Sequence, residues 1–170
     1  TENKNKIWSD WLDFDKNFDK PGKQGLVGLL KLKEDEDFKY VFKISQYINY
    51  LVEHESIVMG GLNDLSFCPH FCKFIGNINC EVDPESRKTG NPFNKEAKYS
   101  IEKSVFLCEY IDKSYKFCNY IKAKDKISEN ILYSVVKQVL LAISIAQTKK
   151  NFCHYDLHSN NIMIMDLFIQ

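Results

Sequence analysis

A short loop near the C-terminal end combines acid, amide and imidazole side chains over residues His154–Ile162, with the sequence HYDLHSNNI. Asp156 and Asn161 lie five residues apart in it. A carboxylate can orient an attacking hydroxyl and accept its proton, and a neutral amide oxygen can bind the magnesium ion that bridges the phosphates of ATP. The two side chains therefore have the types that phosphoryl transfer requires, with Asp156 as the catalytic group and Asn161 as the metal ligand.

The loop resembles the catalytic loop of the protein kinase-like superfamily, in which His-Arg-Asp-Leu is followed by four residues and Asn. The matching positions are held by His154, Asp156, Leu157 and Asn161. Tyr155 replaces the family's Arg. His158 stands where serine/threonine kinases have a lysine, which makes it a further catalytic candidate and is more similar to aminoglycoside and choline phosphotransferases or to atypical and viral kinases. The alternative is a buried loop whose Asp and Asn cap neighbouring backbone groups.

Two glycines, Gly25 and Gly28, precede a strand-like segment at 29–33, an acidic turn and a second strand-like segment that contains Lys43. Glycine allows the backbone to approach phosphate oxygens closely and to offer its N–H groups. Both match the last positions of the family's Gly-x-Gly-x-x-Gly loop, whereas Lys23 occupies the first. The resemblance implies that Gly25 and Gly28 bind ATP; an ordinary turn is the alternative.

Lys43 resembles the third-strand lysine of the family's Val-Ala-Ile-Lys signature, which neutralises the α- and β-phosphates and is held by a helix glutamate. A helix is predicted over 47–59, with an apolar face formed by Tyr47, Leu51, His54 and Val58. Glu55 is the expected partner of Lys43, because apolar residues follow it as they do in the family. Glu53 is the alternative, and a solvated glutamate on an exposed face is the other interpretation of either residue.

The apolar segment 104–112 predicts a buried strand and resembles the family's fifth strand and hinge. The resemblance places Cys108 beside the adenine pocket. It also implies that the carbonyl of Glu109 and the N–H of Ile111 bind the adenine edge. A core strand without a ligand is the alternative.

The cysteines suggest a second kind of site, one that binds zinc. A zinc site would use Cys68, His70, Cys72 and Cys80. Structural zinc sites usually have two paired ligand clusters at tighter spacing, so this interpretation is not favoured. The six cysteines show no disulfide framework, and reduced intracellular thiols are the simpler account.

Three further segments carry predictions about the fold. One face of 127–146 is apolar with a helical period, which predicts a long buried helix of the large lobe. The polar stretch 81–103 predicts a surface connection between two strands. Trp8, Trp11 and Leu12 have helical spacing near the N-terminus, and a helix or strand packed on the small lobe is favoured over a partner-docking motif.

The charges balance, with 23 basic and 23 acidic residues, and so indicate neither nucleic acid nor an anionic membrane as a partner. The apolar segments are judged too short or too interrupted to span a bilayer, and no signal-peptide pattern appears. An intracellular, cytoplasmic location is therefore expected. The lysine-rich composition and the motif HYDLH resemble kinase-like proteins of large DNA viruses, which leaves a virion-associated location open.

The expected fold is α+β and protein kinase-like. Residues 1–21 form an N-terminal extension. Residues 22–111 form a small β-rich lobe with one main helix and a long insertion at about 81–103, and residues 112–170 begin a helical large lobe. The family's Asp-Phe-Gly motif would follow Gln170, and Asp166 comes too soon after Asn161 to replace it. An incomplete part of a longer protein is therefore expected, or one whose large lobe a partner protein or second chain completes.

The resemblance implies an ATP-dependent phosphotransferase that uses ATP and Mg²⁺ and acts on Ser/Thr of a protein substrate. Two alternatives stay open. One is a catalytically silent kinase-fold module used for interaction, for example in a virion. The other, kept open by His158, is a small-molecule kinase of the aminoglycoside or choline type.

Overall fold

The computed structural model describes residues 8–18, 25–45, 49–83, 85, 91–95, 101–123 and 128–165. The chain is a mixed α+β protein with a five-stranded antiparallel sheet and a few helices. It divides into two compact units, one of Thr1–Gly60 with Cys72–Tyr110 and the other of Gly61–Phe71 with Ile111–Gln170.

The sheet lies in the first unit. Its strands are β1 (Leu12–Asn17), β2 (Gly25–Leu32), β3 (Lys39–Ser45), β4 (Phe74–Val82) and β5 (Ile101–Glu109). They are arranged in the order β1-β2-β3-β5-β4. The acidic turn between β2 and β3 closes because Asp35 accepts two N–H bonds, from Asp37 to its carboxylate (3.1 Å) and from Phe38 to its carbonyl (3.0 Å). The predicted strand, turn and strand leading to Lys43 are confirmed.

One face of the sheet, called the core face here, carries the hydrophobic core of the unit. Alternate strand residues point to it because side chains alternate along a strand. Its buried members are Leu12, Leu26, Leu30, Phe42, Ile44, Cys80, Val82, Phe93, Val105 and Leu107. Phe93 comes from a 3₁₀ helix, Pro92–Lys95, and its ring lies 5.2 Å from that of Phe42 and 5.1 Å from that of Trp8.

The opposite face, called the helix face here, is covered by α1 (Tyr50–Asn63). The Ser56 hydroxyl lies 2.7 Å from the Val52 carbonyl and 2.8 Å from Asn77 Oδ1 of β4, the two acceptors for its one proton, and Val52 is buried. The predicted apolar face of this helix is wrong, since Leu51 and His54 are exposed. Ser56 is polar yet buried because its hydroxyl is hydrogen-bonded, and a search for apolar spacing cannot detect such a position.

Two expectations about the edges of the sheet need correction. Residues Leu12–Asn17 form a strand, one of the two forms expected for this segment, and Leu12 and Phe14 pair with Leu32 and Leu30 of β2. The stretch assigned to an N-terminal extension thus supplies the first strand of the sheet. The polar connection 81–103 is not confined to the surface, because Phe93, Asn94 and Lys103 are buried.

The second unit contains two helices and a small strand pair. Helix α2 (Phe117–Lys122) follows β6 (Ser114–Lys116), which pairs with β7 (Met163–Met165). Helix α3 (Glu129–Lys150) ends at Asn151, which adopts a left-handed conformation with φ 52°. Lys150 in its last turn donates to Asp64 at 2.5 Å.

Helix α3 is not the buried helix that its period predicts. Its buried residues are Ala142 and Ala146, whereas Ile131, Leu140 and Leu141 are exposed. Among the described residues, α3 is also long and apolar enough to cross a membrane by length and composition, a test that core helices of soluble proteins pass as well. The sequence argument judged the apolar segments too short or too interrupted to span a bilayer, and α3 is the described segment that meets the length and composition for one.

Candidate functional site

The first unit brings together the predicted lysine and glutamate. Lys43 pairs with Val27 and Phe106 in the sheet and lies on the helix face. Its Nζ is 2.5 Å from Glu55 Oε2 of α1, and the two side chains keep 25% and 38% of their exposure. The predicted contact is confirmed, and Glu55 rather than the exposed Glu53 makes it. The ion pair is accessible enough to meet a ligand from solvent.

Cys108 lies on the same face, because it pairs with Val41, two residues before Lys43. Burial is the largest of the causes that raise the pKa of the Cys108 thiol to about 12. The nearby acidic groups Cys72, Glu55 and Glu109 also raise this pKa, and Lys43 lowers it. Cys108 therefore stays protonated beside the ion pair, while its role next to adenine stays a prediction.

Glu109 ends β5 and is bound to Lys73, the residue before β4. Its N–H donates to the Lys73 carbonyl (2.9 Å), and its Oε1 accepts the Lys73 N–H (2.7 Å). These bonds fix the last residue of β5 at the point where the first unit ends. Ile111, half-buried, follows at the start of the second unit. Adenine binding by the Glu109 carbonyl and the Ile111 N–H stays a prediction.

The two predicted phosphate-binding glycines lie within β2, so the expectation that they precede a strand is wrong. A Cβ at Gly25, whose φ is 146°, would approach the Ile44 carbonyl oxygen to 1.9 Å. A Cβ at Gly28 would lie 2.5 Å from the Lys16 carbonyl oxygen and 2.7 Å from the Phe42 ring. Close packing of the sheet therefore explains both glycines without a ligand. Lys23, at the first position of the resembling loop, lies outside the described residues.

The second unit brings Asp156 and Asn161 together in the loop after α3. Asn161 Nδ2 donates to the Asp156 carbonyl (3.0 Å) and to Asp156 Oδ2 (3.2 Å). The loop is attached to the start of α2 by the N–H groups of Phe117 and Cys118, which donate to the carbonyls of Ile162 (2.8 Å) and Ser159 (3.0 Å). The five-residue spacing thus places the two side chains in direct contact.

The available groups of the loop suit a hard cation and a hydroxyl substrate. Asn161 turns its amide nitrogen towards Asp156, which leaves its carbonyl oxygen as a ligand of the type that Mg²⁺ prefers. His158 Nε2 lies 3.5 Å from Asp156 Oδ1. Tyr155, next to Asp156, is 93% exposed and has φ 57°. Asp156 is exposed and accessible to an acceptor group.

The residues of the zinc interpretation do not form a cluster. Within the described part of the chain, no group of three or more His, Cys, Asp or Glu side chains could hold a metal ion. Cys68, Cys72 and Cys80 are free thiols. Burial raises the pKa of Cys72 and of Cys80, which disfavours the thiolate that a metal would bind.

Sequence reasoning missed the polar residues that position α1. Asn49, just before the helix, accepts the Ser104 N–H (3.2 Å) and donates to the Glu102 carbonyl (3.1 Å). Asn77 accepts from Ser56 as described above. An asparagine inside a strand, such as Asn77, was the available signal, because Asn is depleted in strands unless its side chain has a partner.

Comparison with known proteins identifies viral relatives. No family model matches the chain. It is 33% identical over 136 residues to uncharacterized protein 038R of Invertebrate iridescent virus 3, covering 76% of this chain and 24% of that protein. It is 27% identical over 172 aligned positions to uncharacterized protein 098R of Invertebrate iridescent virus 6, covering 79% of this chain and 28% of that protein. The chain thus spans about a quarter of the length of these relatives, and neither name assigns an activity.

Proposed function

We propose that the protein containing this chain is an ATP-dependent phosphotransferase of the protein kinase-like class that phosphorylates Ser/Thr of a protein. The observation that carries the proposal is the ion pair of Lys43 with Glu55, formed between the third strand of an antiparallel sheet and the helix that follows it. The order of the elements supports it as well. Three strands, a helix and two strands precede a long helix and an Asp-containing loop, as in the kinase-like fold.

Lys43 supplies a positive charge for the α- and β-phosphates of ATP. It extends from the central strand of the sheet, so its backbone is held on both sides by β2 and β5. Glu55 holds the ammonium group in one place, and the remaining exposure of both side chains leaves room for a phosphate. Positioning and charge neutralisation account for most of the catalysis in phosphoryl transfer. A cation fixed beside the phosphates provides both.

Asp156 and Asn161 supply the remaining two functions. The Asp156 carboxylate orients the acceptor hydroxyl and takes its proton. The Asn161 carbonyl oxygen would hold Mg²⁺, whose charge neutralises the phosphates when it is bound. The contact between Asn161 and Asp156 at 3.2 Å keeps the two groups adjacent, as a shared reacting centre requires.

The experiment uses the full-length protein that carries this sequence, with Mg²⁺ and γ-labelled ATP. Acceptors are offered in separate arms: Ser/Thr peptides, an aminoglycoside and choline. Lys43→Met is expected to abolish transfer. Asp156→Asn is expected to lower kcat by orders of magnitude with little change in ATP affinity, because the carboxylate acts on the acceptor and not on ATP.

Lys31→Met is the matched control. Lys31 lies in the neighbouring strand, is also 25% exposed, and pairs with Glu36 at 2.9 Å, but it belongs to no proposed site. Loss of transfer in Lys43→Met and Asp156→Asn but not in Lys31→Met supports the proposal. Transfer to aminoglycoside or choline alone would assign a small-molecule kinase. ATP binding without transfer to any acceptor would favour the interaction module, and wild-type transfer in Lys43→Met would remove Lys43 from the site.

A further inference from the structure

We infer that Asn49 is a positioning residue: its side-chain amide binds the backbone of β5 and thereby places Glu55 of α1 beside Lys43. The consequence for ATP rests on the proposed function, whereas the effect on the ion pair does not. An asparagine directly before a helix is ordinarily explained as an N-cap, and the Asn49 carbonyl does accept the Glu53 N–H of the first turn at 2.9 Å. The side chain, however, connects the helix to the sheet.

Apolar packing and the ion pair itself hold α1 only weakly on the sheet. In the part of the helix that belongs to the first unit, the buried residues are Val52 and Ser56. The side chains of Lys43 and Glu55 keep 25% and 38% of their exposure, so solvent screens their attraction and its contribution is small. The position of Glu55 is therefore determined by other contacts of the helix rather than by its attraction to Lys43.

The contact of Ser56 with β4 is also a weak connection. The Ser56 hydroxyl has one proton for two acceptors, the Val52 carbonyl of its own helix at 2.7 Å and Asn77 Oδ1 at 2.8 Å. A proton that is shared in this way binds β4 only in part. A stronger polar connection between α1 and the sheet lies at the start of the helix.

Asn49 makes two hydrogen bonds there, both to the backbone of β5. Its Oδ1 accepts the Ser104 N–H at 3.2 Å, and its Nδ2 donates to the Glu102 carbonyl at 3.1 Å. The N–H must face the amide oxygen and the carbonyl must face the amide nitrogen, so the side chain is held in one orientation. The last pair of β3 with β5 is Ile44 with Val105. The Asn49 amide thus binds β5 just beyond the end of that pairing.

Both partners of the ion pair are thereby placed relative to one short segment of β5. Lys43 pairs with Phe106, two residues after the Ser104 that Asn49 binds. Glu55 follows Asn49 by six residues, or about 9 Å along a stiff helix. Without the Asn49 bonds the start of α1 can shift, and the helix carries that shift to Glu55. A displacement of about 1 Å takes a carboxylate out of hydrogen-bond range of an ammonium group, so the fraction of molecules that hold the ion pair falls.

The first test is the affinity of the full-length protein for ATP with Mg²⁺. ATP binds the fraction of molecules in which Lys43 is held, and the apparent Kd rises in inverse proportion to that fraction. Asn49→Ala should raise the Kd by about 5- to 10-fold, which corresponds to two hydrogen bonds at the low end of their usual strength. The kcat at saturating ATP should change little, because bound ATP selects the molecules in which the ion pair is formed. An unchanged Kd would overturn the inference.

Asn49→Asp separates the contact with β5 from the N-cap. Aspartate caps a helix as well as asparagine does, but it has no N–H for the Glu102 carbonyl. Asn49→Asp should therefore raise the Kd for ATP as Asn49→Ala does. Asn79→Asp is the matched control, since this exposed residue of β4 pairs with Ser104 and undergoes the same change of charge. Its Kd should equal that of the wild type. Wild-type affinity in Asn49→Asp would leave Asn49 as an N-cap and overturn the inference.

A double-mutant comparison separates positioning from general stability. In a Glu55→Gln background, Asn49→Ala should have little further effect on the Kd for ATP, because the ion pair that it positions is already lost. Equal effects of Asn49→Ala with and without Glu55→Gln would show that Asn49 stabilises the sheet without placing Glu55, and would overturn the inference.

A second readout does not depend on ATP. A carbodiimide joins a lysine to a carboxylate that contacts it, and peptide mass spectrometry measures the yield of the Lys43–Glu55 product. This yield should fall by about 5- to 10-fold in Asn49→Ala. The Lys31–Glu36 product, from an ion pair at 2.9 Å, should not change. An unchanged Lys43–Glu55 yield would overturn the inference. Absence of ATP binding in the wild type, together with the expected fall in yield, would remove the proposed function while retaining the placement of Glu55 by Asn49.

Discussion

The two faces of the five-stranded sheet in the first unit carry different kinds of side chain, although adjacent residues of each strand contribute to them. Phe42 is fully buried on the core face, and Lys43, the next residue, lies on the helix face in an ion pair open to solvent. The core face is closed by aromatic rings that have no polar function. The helix face combines a charge, a glutamate and a thiol with the buried ring of Phe106, which pairs with Lys43 and stacks on Phe74 at 5.2 Å. The proposed chemistry is therefore separated from the main core by the alternation of one strand, and a one-residue shift of β3 would exchange the two faces.

The largest effect on stability is expected where the core face is densest. Phe93→Ala should lower the free energy of unfolding by about 3–5 kcal/mol, because it removes a fully buried ring that contacts Phe42 and Trp8. Urea unfolding followed by tryptophan fluorescence measures it. Phe38→Ala, at a ring that is 59% exposed, is the control and should change little. Equal losses in both variants would mean that Phe93 does not belong to the core.

A smaller effect is expected from adding an atom where the sheet has no room. Gly28→Ala should destabilise the fold by about 1–3 kcal/mol, because its Cβ would clash with the Lys16 carbonyl and the Phe42 ring. Gly61→Ala should instead stabilise it by up to about 1 kcal/mol, since an alanine there meets no atom within 4 Å and helps the helix. The same unfolding measurement tests both. A tolerated alanine at Gly28 would leave phosphate binding as the better explanation of that glycine.

The helix face should tolerate the loss of its charge. Lys43→Met is expected to change the free energy of unfolding by less than about 1 kcal/mol, because solvent reaches part of the ion pair, screens it and leaves it a small contribution. Lys31→Met should behave in the same way and differ from Lys43→Met only in phosphoryl transfer. A loss of several kcal/mol in Lys43→Met would show that the ion pair stabilises the sheet, and the contrast between the faces would fail.

The smallest effect concerns the thiols. Cys153 is exposed, whereas burial raises the pKa of Cys108 to about 12. At pH 8 a fraction on the order of one in ten thousand of Cys108 side chains is thiolate, the form that reacts with iodoacetamide. Peptide mass spectrometry after brief labelling should therefore find Cys153 modified and Cys108 unmodified, with both modified in urea. Rapid labelling of folded Cys108 would show that the helix face opens readily.

The contact of Lys43 with Glu55 could be predicted because the two residues match the strand lysine and the helix glutamate that pair in the family the sequence resembles. The apolar spacing of 47–59 did not predict it, because Leu51 and His54 are exposed. The contact of Asp156 with Asn161 could be predicted from their spacing, since both belong to one loop.

The errors have a common physical cause: burial depends on distant partners. Ser56 is buried because its hydroxyl has two acceptors, the Val52 carbonyl of its own helix and the Asn77 side chain of β4. Phe93 belongs to the core because the ring of Trp8, far earlier in the chain, packs against it. Helical spacing near the N-terminus did not indicate one continuous helix, because Trp8 lies in the 3₁₀ helix Trp8–Asp10 and Leu12 begins strand β1, and both meet that core. Leu140 of α3 is apolar and yet exposed, because the apolar period of a helix does not by itself supply a packing partner.

The order of the strands has a consequence for the way in which the sheet assembles. Strands β1, β2 and β3 are joined by short connections, and β4 pairs with β5 as a second antiparallel pair. The pairing of β3 with β5 joins these two groups across residues 46–100, which makes it the pairing with the longest loop to close. Distant pairings form slowly, so this step is expected to limit folding. Lys43 pairs with Phe106 across that junction, so the proposed phosphate-binding lysine is oriented only when the slowest pairing of the sheet is complete.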